Sequence, residues 1–211
     1  MDFEKGHLYH NYNQGNNRQR IFFSRENYLF FLTKIREHVL PHADVLAWCL
    51  MPNHFHLMVY VGQVEVVQGN EVQDTGATDG VTPSHPVSKN PKKRNLNDSI
   101  AILLRSYTRA INKQENRSGA LFREGTKAEC LTLFNGLTPS YFNTAFGAQI
   151  NVRIPEREYP QACFKYIHQN PIMAKLVTKP EDWEFSSFAD YFGDRNGKLV
   201  NRDRAGEFIL F

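Results

Sequence analysis

The stretch from Asp44 to Val61 limits what this chain can fold into more than any other. Residues 44–51 (DVLAWCLM) are a continuous apolar run of strand length. Residues 54–61 (HFHLMVYV) alternate with the period of two that marks a half-buried strand. Only Pro52 and Asn53 separate them. Proline presets φ and asparagine tolerates positive φ, so the pair is turn chemistry. The spacing predicts a tight hairpin over 44–61, and with it an antiparallel sheet.

The flanking segments supply the rest of one domain. Residues 7–13 (HLYHNYN) read as a first strand that ends in the turn-rich QGNN of 14–17. Ser24 caps a helix in which Tyr28, Phe31, Leu32, Ile35 and Val39 recur at helical spacing until Pro41 stops the run. Between 63 and 97 Gly, Asp, Thr, Ser, Asn and Pro dominate, so this stretch reads as an exposed insertion. Asp98 or Ser99 caps a second helix over about 98–115, whose apolar face is Ile100, Leu103, Leu104, Tyr107 and Ile111. Residues 117–127 contain a glycine turn and a short strand, and a third helix runs from about 156 to 170, where Asn170-Pro171 favours an ending. This order predicts an α+β fold: a small antiparallel sheet with helices gathered on one face. The other face is left open for a ligand.

Composition excludes several classes. A hydrophobic content of 41% with 16 Phe and 9 Tyr is enough for a sizeable core. Three cysteines, Cys49, Cys130 and Cys163, show no CxxC spacing, so a disulfide scaffold is not expected and a reducing cytosol is the simpler home. The polar N-terminus lacks a signal-like apolar region, and no run of about 18 apolar residues exists to span a membrane. A net charge of +3 does not by itself imply nucleic acid.

Two short segments carry chemistry. His54 and His56 are two apart in a strand and so share a face, while Phe55, Leu57, Val59 and Val61 point to the other. Two imidazoles can share a divalent ion, but two ligands are too few. In 163–171 (CFKYIHQNP), Tyr166 and Asn170 lie four apart on one helix face. A tyrosine hydroxyl is a covalent nucleophile for a phosphodiester, given a cation to offset charge on the phosphate. The Asn170 amide oxygen would bring the ligand count to three. The plain structural reading of the same residues is a half-exposed strand, an amphipathic core tyrosine and a helix C-cap.

With these pieces in place, the chain resembles the single-tyrosine HUH transposases, most closely the REP-associated tyrosine transposases related to the insertion sequence 200 type. The matching pieces are YHNYNQGNNRQRIFF at 9–23, LAWCLMPNHFHLMV at 46–59, RSGALF at 117–122, YIHQNP at 166–171 and WEFSS at 183–187, in the family's order. The resemblance implies a sheet related to the ferredoxin-like RNA-recognition fold, His54 and His56 as metal ligands, Asn170 completing the site and Tyr166 as nucleophile. It also implies magnesium or manganese as the ion. The implied substrate is single-stranded DNA near a hairpin, cut through a 5′-phosphotyrosine. Family members differ on whether the tyrosine acts in its own subunit or in that of a homodimer partner. Two departures stand out. Gln14 sits where the family commonly has Arg before Gly, and residues 63–97 and 128–158 are longer than in compact members.

Other residues are weighed beside these. Tyr107 is a rival nucleophile, but it falls in line with the apolar face of its helix. Arg105, Arg109, Lys113 and Arg117 recur every four residues as a stripe able to track phosphates. Arg18, Arg20, Lys92, Lys93, Arg94, Arg123 and Lys127 are further candidates for DNA contact. Tyr9, Tyr12, Phe22 and Phe23 are candidate platforms for unstacked bases. His7, His10, His38, His42 and His85 have no spacing that makes a case, and His168 is read as structural. Two rival functions remain: a hairpin DNA or RNA binding module without cleavage, and a metal-dependent hydrolase without a covalent step.

Overall fold

The computed structural model describes residues 2–67, 93–132, 141–144, 147–150 and 159–211. In chain order the elements are β1 (Leu8–Gln14), α1 (Arg25–His38), β2 (Ala43–Met51), β3 (His54–Val61), β4 (Glu65–Val67), β5 (Lys93–Asn95) and α2 (Leu96–Gln114). They continue with β6 (Lys127–Cys130), β7 (Tyr141–Thr144), β8 (Gly147–Ile150), α3 (Tyr159–Met173), α4 (Phe188–Phe192) and α5 (Arg202–Gly206).

The hairpin forms where the sequence places it, with Met51 opposite His54 across Pro52-Asn53. Asn53 does not use positive φ. The turn is instead pinned from outside: Gly15 N donates to Asn53 O at 2.8 Å, and Ile21 N donates to Pro52 O at 2.8 Å. Gly15 is needed for this approach, because a Cβ there would lie 2.1 Å from Gln19 O. The sheet has the order β2-β3-β1-β6, and every pairing is antiparallel. Between β1 and β3 the register runs from Leu8 opposite Tyr60 to Gln14 opposite His54.

The sheet is buried on both faces. Under α1 and α2, Phe31, Ile35, Leu103, Tyr107 and Ile111 pack with Phe55, Leu57, Val59 and Val61. On the opposite face, Tyr159, Cys163, Phe164 and Ile167 of α3 pack with Leu46, Cys49, Met51 and Met58. The expected α+β class and antiparallel sheet are present, but the expectation that helices gather on one face, leaving the other open, is corrected. The reason is legible in β2. A run of apolar residues without alternation suits a strand covered on both sides, not one with a wet face. A register shift between Val45 and Ala47 turns both Leu46 and Ala47 toward α3. Leu46, fully buried, contributes about 1.5–3 kcal/mol of apolar transfer.

Several boundaries move. Asn95, not Asp98 or Ser99, caps α2, its side chain accepting from Asp98 N at 2.8 Å. α3 runs through Asn170-Pro171 to Met173 instead of ending there. Proline only removes one helical donor and crowds the carbonyl four residues back. The first inserted stretch begins and ends as a ribbon, β4 against β5. Residues 68–92, and with them the candidate Lys92, lie outside the described residues. In the second stretch, residues 128–130 belong to the main sheet through β6, while β7 and β8 pair with each other. Trp183 to Ser187 run beside β2, with Leu50 N donating to Phe185 O and Ser187 N to Trp48 O, both at 2.8 Å. No helix among the described residues is long and apolar enough to cross a membrane. The three cysteines are free, Cys49 and Cys163 buried and Cys130 half-buried.

Tyr107 is fully buried, and its hydroxyl donates to Ile21 O at 2.8 Å. Burial raises its pKa far above that of a free phenol. It is a core strut, as its helical position implied. Tyr107→Phe is predicted to lower stability by about 1–2 kcal/mol, the cost of a buried carbonyl left without its donor. Urea unfolding checks this, and an unchanged midpoint would contradict it.

Candidate active site

The face of the sheet beneath α3 collects its polar residues toward one end. Strand alternation directs His54 and His56 from β3 to this face, and antiparallel pairing places Tyr12 opposite His56 and Gln14 opposite His54. His10, two residues before Tyr12, shares the face. The ring centroids of His54 and His56 are 5.0 Å apart, as are those of His10 and His56. Tyr12 stacks on His10 at 4.8 Å.

α3 lies across this cluster. The Tyr166 ring meets His56 at 5.4 Å and His10 at 6.1 Å, edge to face in both cases. One turn later, Asn170 Nδ2 donates to Tyr166 O at 2.8 Å, and the Asn170 side chain is near enough to His54 to favour its charged ring. The phenol, the amide and both histidines therefore meet within a single chain. Asn170 is buried inside the helix and not a C-cap, because α3 continues past it.

Burial sets the protonation of the cluster. It pushes His54 down to about 4, partly offset by the nearby Asn170 side chain, which favours the charged ring. His10 falls to about 3 through desolvation, and His56 is lowered by desolvation and then by His54 and His10. All three rings are neutral at pH 7, the form in which imidazole is a ligand. Tyr166 is pushed up to about 12 by burial, partly offset by Asn170. Its phenol holds its proton at neutral pH.

One tautomer assignment is consistent along the row of rings. His10 Nε2 lies 2.9 Å from His56 Nδ1. With the proton on His56 Nδ1, His56 donates to His10 and keeps its lone pair on Nε2, a buried atom with no hydrogen-bond partner among the described residues. His10 then carries its proton on Nδ1, 4.0 Å from Glu129 Oε2. His54 Nδ1 lies 2.6 Å from Asn53 Oδ1, which leaves its Nε2 for a ligand. Among the described residues no three His, Cys, Asp or Glu side chains are arranged to hold a metal. A site here would need the two imidazoles and the Asn170 amide oxygen, and the partnerless His56 Nε2 fits that donor set. Nitrogen donors suit manganese better than magnesium, which prefers oxygen.

His10 is the member that sequence reasoning missed. Its signal was the alternation of His10 with Tyr12 in β1, but its place beside His56 depends on a strand register 46 residues away in sequence. Of the expected base platforms, Tyr9 and Phe22 are core residues and Phe23 is half-buried, whereas Tyr12 is on the histidine face.

The basic candidates divide between two places. Arg105, Arg109 and Lys113 are exposed on α2, on the side of the sheet away from the histidines. Arg117 lies beyond the end of α2 and does not continue the expected stripe; its Nη2 donates to Gln19 Oε1 at 2.6 Å. Arg18 and Arg20 are exposed in the loop after β1, and Lys127 is exposed opposite Tyr12. Arg123 is exposed beside the end of β1, where its backbone N donates to Gln14 O. Lys93 is exposed and 3.6 Å from Glu65, and Arg94 is half-buried in the same ribbon. His168 is structural, with Nε2 2.7 Å from Ser187 Oγ.

The four-stranded antiparallel sheet with helices packed against it has a solved counterpart. The fold is similar to that of a REP-associated tyrosine transposase solved bound to a REP hairpin. The TM-score is 0.52, and the match covers 95% of this chain and 92% of that one at 13% identity. This likeness is one of fold. No protein-family model matches the chain, and no curated protein matches it.

The buried rings give a pH prediction. Their folded pKa values lie below the ordinary 6.5, so their contribution to stability is complete above about pH 6.5 and is lost as pH falls toward 4. Nitrogen-15 imidazole spectra are predicted to show His10, His54 and His56 neutral from pH 8 to 5.5. A midpoint near 6.5 for any of the three would contradict the burial described.

Proposed function

We propose that the chain is a metal-dependent single-stranded DNA endonuclease and strand transferase that acts near DNA hairpins through a 5′-phosphotyrosine. The observation that carries this reading is the Tyr166 ring 5.4 Å from His56, with Asn170 Nδ2 donating to the Tyr166 carbonyl one turn along the same helix and the Asn170 side chain beside His54. The likeness to a transposase bound to a hairpin supports the choice of substrate.

In this reading His54, His56 and Asn170 hold a divalent ion, which when bound offsets negative charge on the scissile phosphate. The Tyr166 oxygen bonds to phosphorus as the bond to the 3′-oxygen breaks. The phenol gives up a proton and the departing 3′-oxygen gains one. A second 3′-hydroxyl reverses the step and rejoins the strand, so the phosphate bond energy is retained. The partial burial of Tyr166 makes the phenol harder to ionise, so the reaction is expected to accelerate with rising pH. His10 holds the His56 ring with its lone pair free, the role an imidazole's outer hydrogen bond plays at metal sites. In this reading Tyr166 serves its own subunit's histidines, which its ring contact with His56 within one chain supports.

The rival reading is a hairpin-binding module without cleavage. A single experiment separates the two. The protein is incubated with a single-stranded hairpin oligonucleotide and Mn²⁺, and adducts are resolved on a denaturing gel. Wild type is predicted to give a covalent adduct, Tyr166→Phe none, and Tyr107→Phe an undiminished amount. Cut product from Tyr166→Phe would indicate a hydrolase, and no adduct from wild type would leave the binding module. His10→Ala is predicted to weaken Mn²⁺ binding about 10- to 100-fold, as read by electron paramagnetic resonance. Unchanged affinity would remove its supporting role.

A further inference from the structure

A cavity with described walls lies away from the histidines. It has a volume of about 770 Å³ and lies between α2 and the turn at residues 119–126, on the opposite face of the sheet. That volume is in the range of small-ligand sites. Leu104, Ala120 and Phe122 contribute apolar wall, and Arg105, Arg109 and Arg123 contribute cationic rim. No carboxylate lines it among the described residues. None of the three arginines is in an ion pair among those residues.

The pocket is preformed. Gly119 and Gly125 sit at φ of +90° and +71°, a conformation that side chains disfavour, and both line the cavity. The turn is tied down by Asn112 Nδ2 donating to Gly119 O at 2.9 Å and Gln19 Nε2 donating to Leu121 O at 3.0 Å.

We propose that this cavity binds one unstacked nucleotide of single-stranded DNA, its base against the apolar wall and its phosphates among the three arginines. The wall asks for an apolar ring face, and the rim asks for anions. A nucleotide has both, whereas the bases of a duplex are stacked inside and present only edges. The position suits a strand that also visits the histidines. Asn13 lines the cavity, while the next residue, Gln14, is paired with His54. Arg123 is hydrogen-bonded to Gln14 through its backbone. A strand rounding the end of the sheet at Gln14-Gly15 reaches both faces. The pocket rests on the reading that DNA is the ligand, and it does not depend on cleavage.

The test uses the full chain in EDTA with a fluorescent single-stranded DNA 12-mer and an abasic 12-mer of the same length, read by anisotropy. Leu104→Gln, at a half-buried wall position, is predicted to weaken the intact 12-mer about tenfold and to leave the abasic one unchanged. Arg105→Gln is predicted to weaken both and to flatten the salt dependence. In wild type, the Leu104 methyl resonances should shift with the intact 12-mer and stay fixed with the abasic one, a readout that needs no variant. Three results would overturn the proposal: equal loss for both oligomers in Leu104→Gln, methyl shifts that ignore the bases, or tighter binding of an RNA 12-mer. Failure of the cleavage reading shows separately, as absence of a wild-type adduct with Mn²⁺.

Discussion

The candidate site depends on one constraint: β3 must serve two cores at once. Phe55, Leu57, Val59 and Val61 are buried under α1 and α2, and this leaves His54, His56 and Met58 to face α3. A one-residue slip of register would exchange the sets and place both imidazoles in the apolar layer. The same burial that fixes the register strips water from the rings. It holds them neutral, the form in which they can act as ligands, and it makes the facing phenol reluctant to ionise. Stability and chemistry at this end of the sheet thus arise from a single packing arrangement.

The local parts of that arrangement were legible in the sequence. The turn between Met51 and His54, the division of β3 between two faces, the apolar stripe of α2 and the pairing of Tyr166 with Asn170 all follow from periodicity over a few residues. The family resemblance then drew distant pieces into one site, and the transposase-like fold agrees with it. What escaped was set by contacts distant in the chain. α3 covers the second face because β2 is apolar on both sides, a hint that can be read only once a partner helix is known. His10 reaches His56 through a register between strands some forty residues apart, and a lone histidine in β1 carries no local mark of it. Arg117 fits a helical stripe by spacing, but the helix ends at Gln114.

The loops show how the site is held in place from outside the sheet. Gly15 lets the chain after β1 fold tightly enough for its backbone to bond both residues of the Pro52-Asn53 turn. Asn53 in turn fixes the His54 ring. Gln14 accepts through its carbonyl from the backbone N of Arg123. Arg105 and Arg109 of α2 line the apolar cavity behind this end of the sheet.

The central claim is spatial: a phenol from α3 and a cation held by two β3 imidazoles share one site within one chain. Fluorine resonances of 3-fluorotyrosine-labelled protein test it directly, with Tyr166 assigned by its loss in the phenylalanine variant. Stoichiometric Mn²⁺ should broaden the Tyr166 signal beyond detection, and the effect should vanish when His54 and His56 are replaced by alanine. A sharp Tyr166 resonance with Mn²⁺ bound would contradict the account.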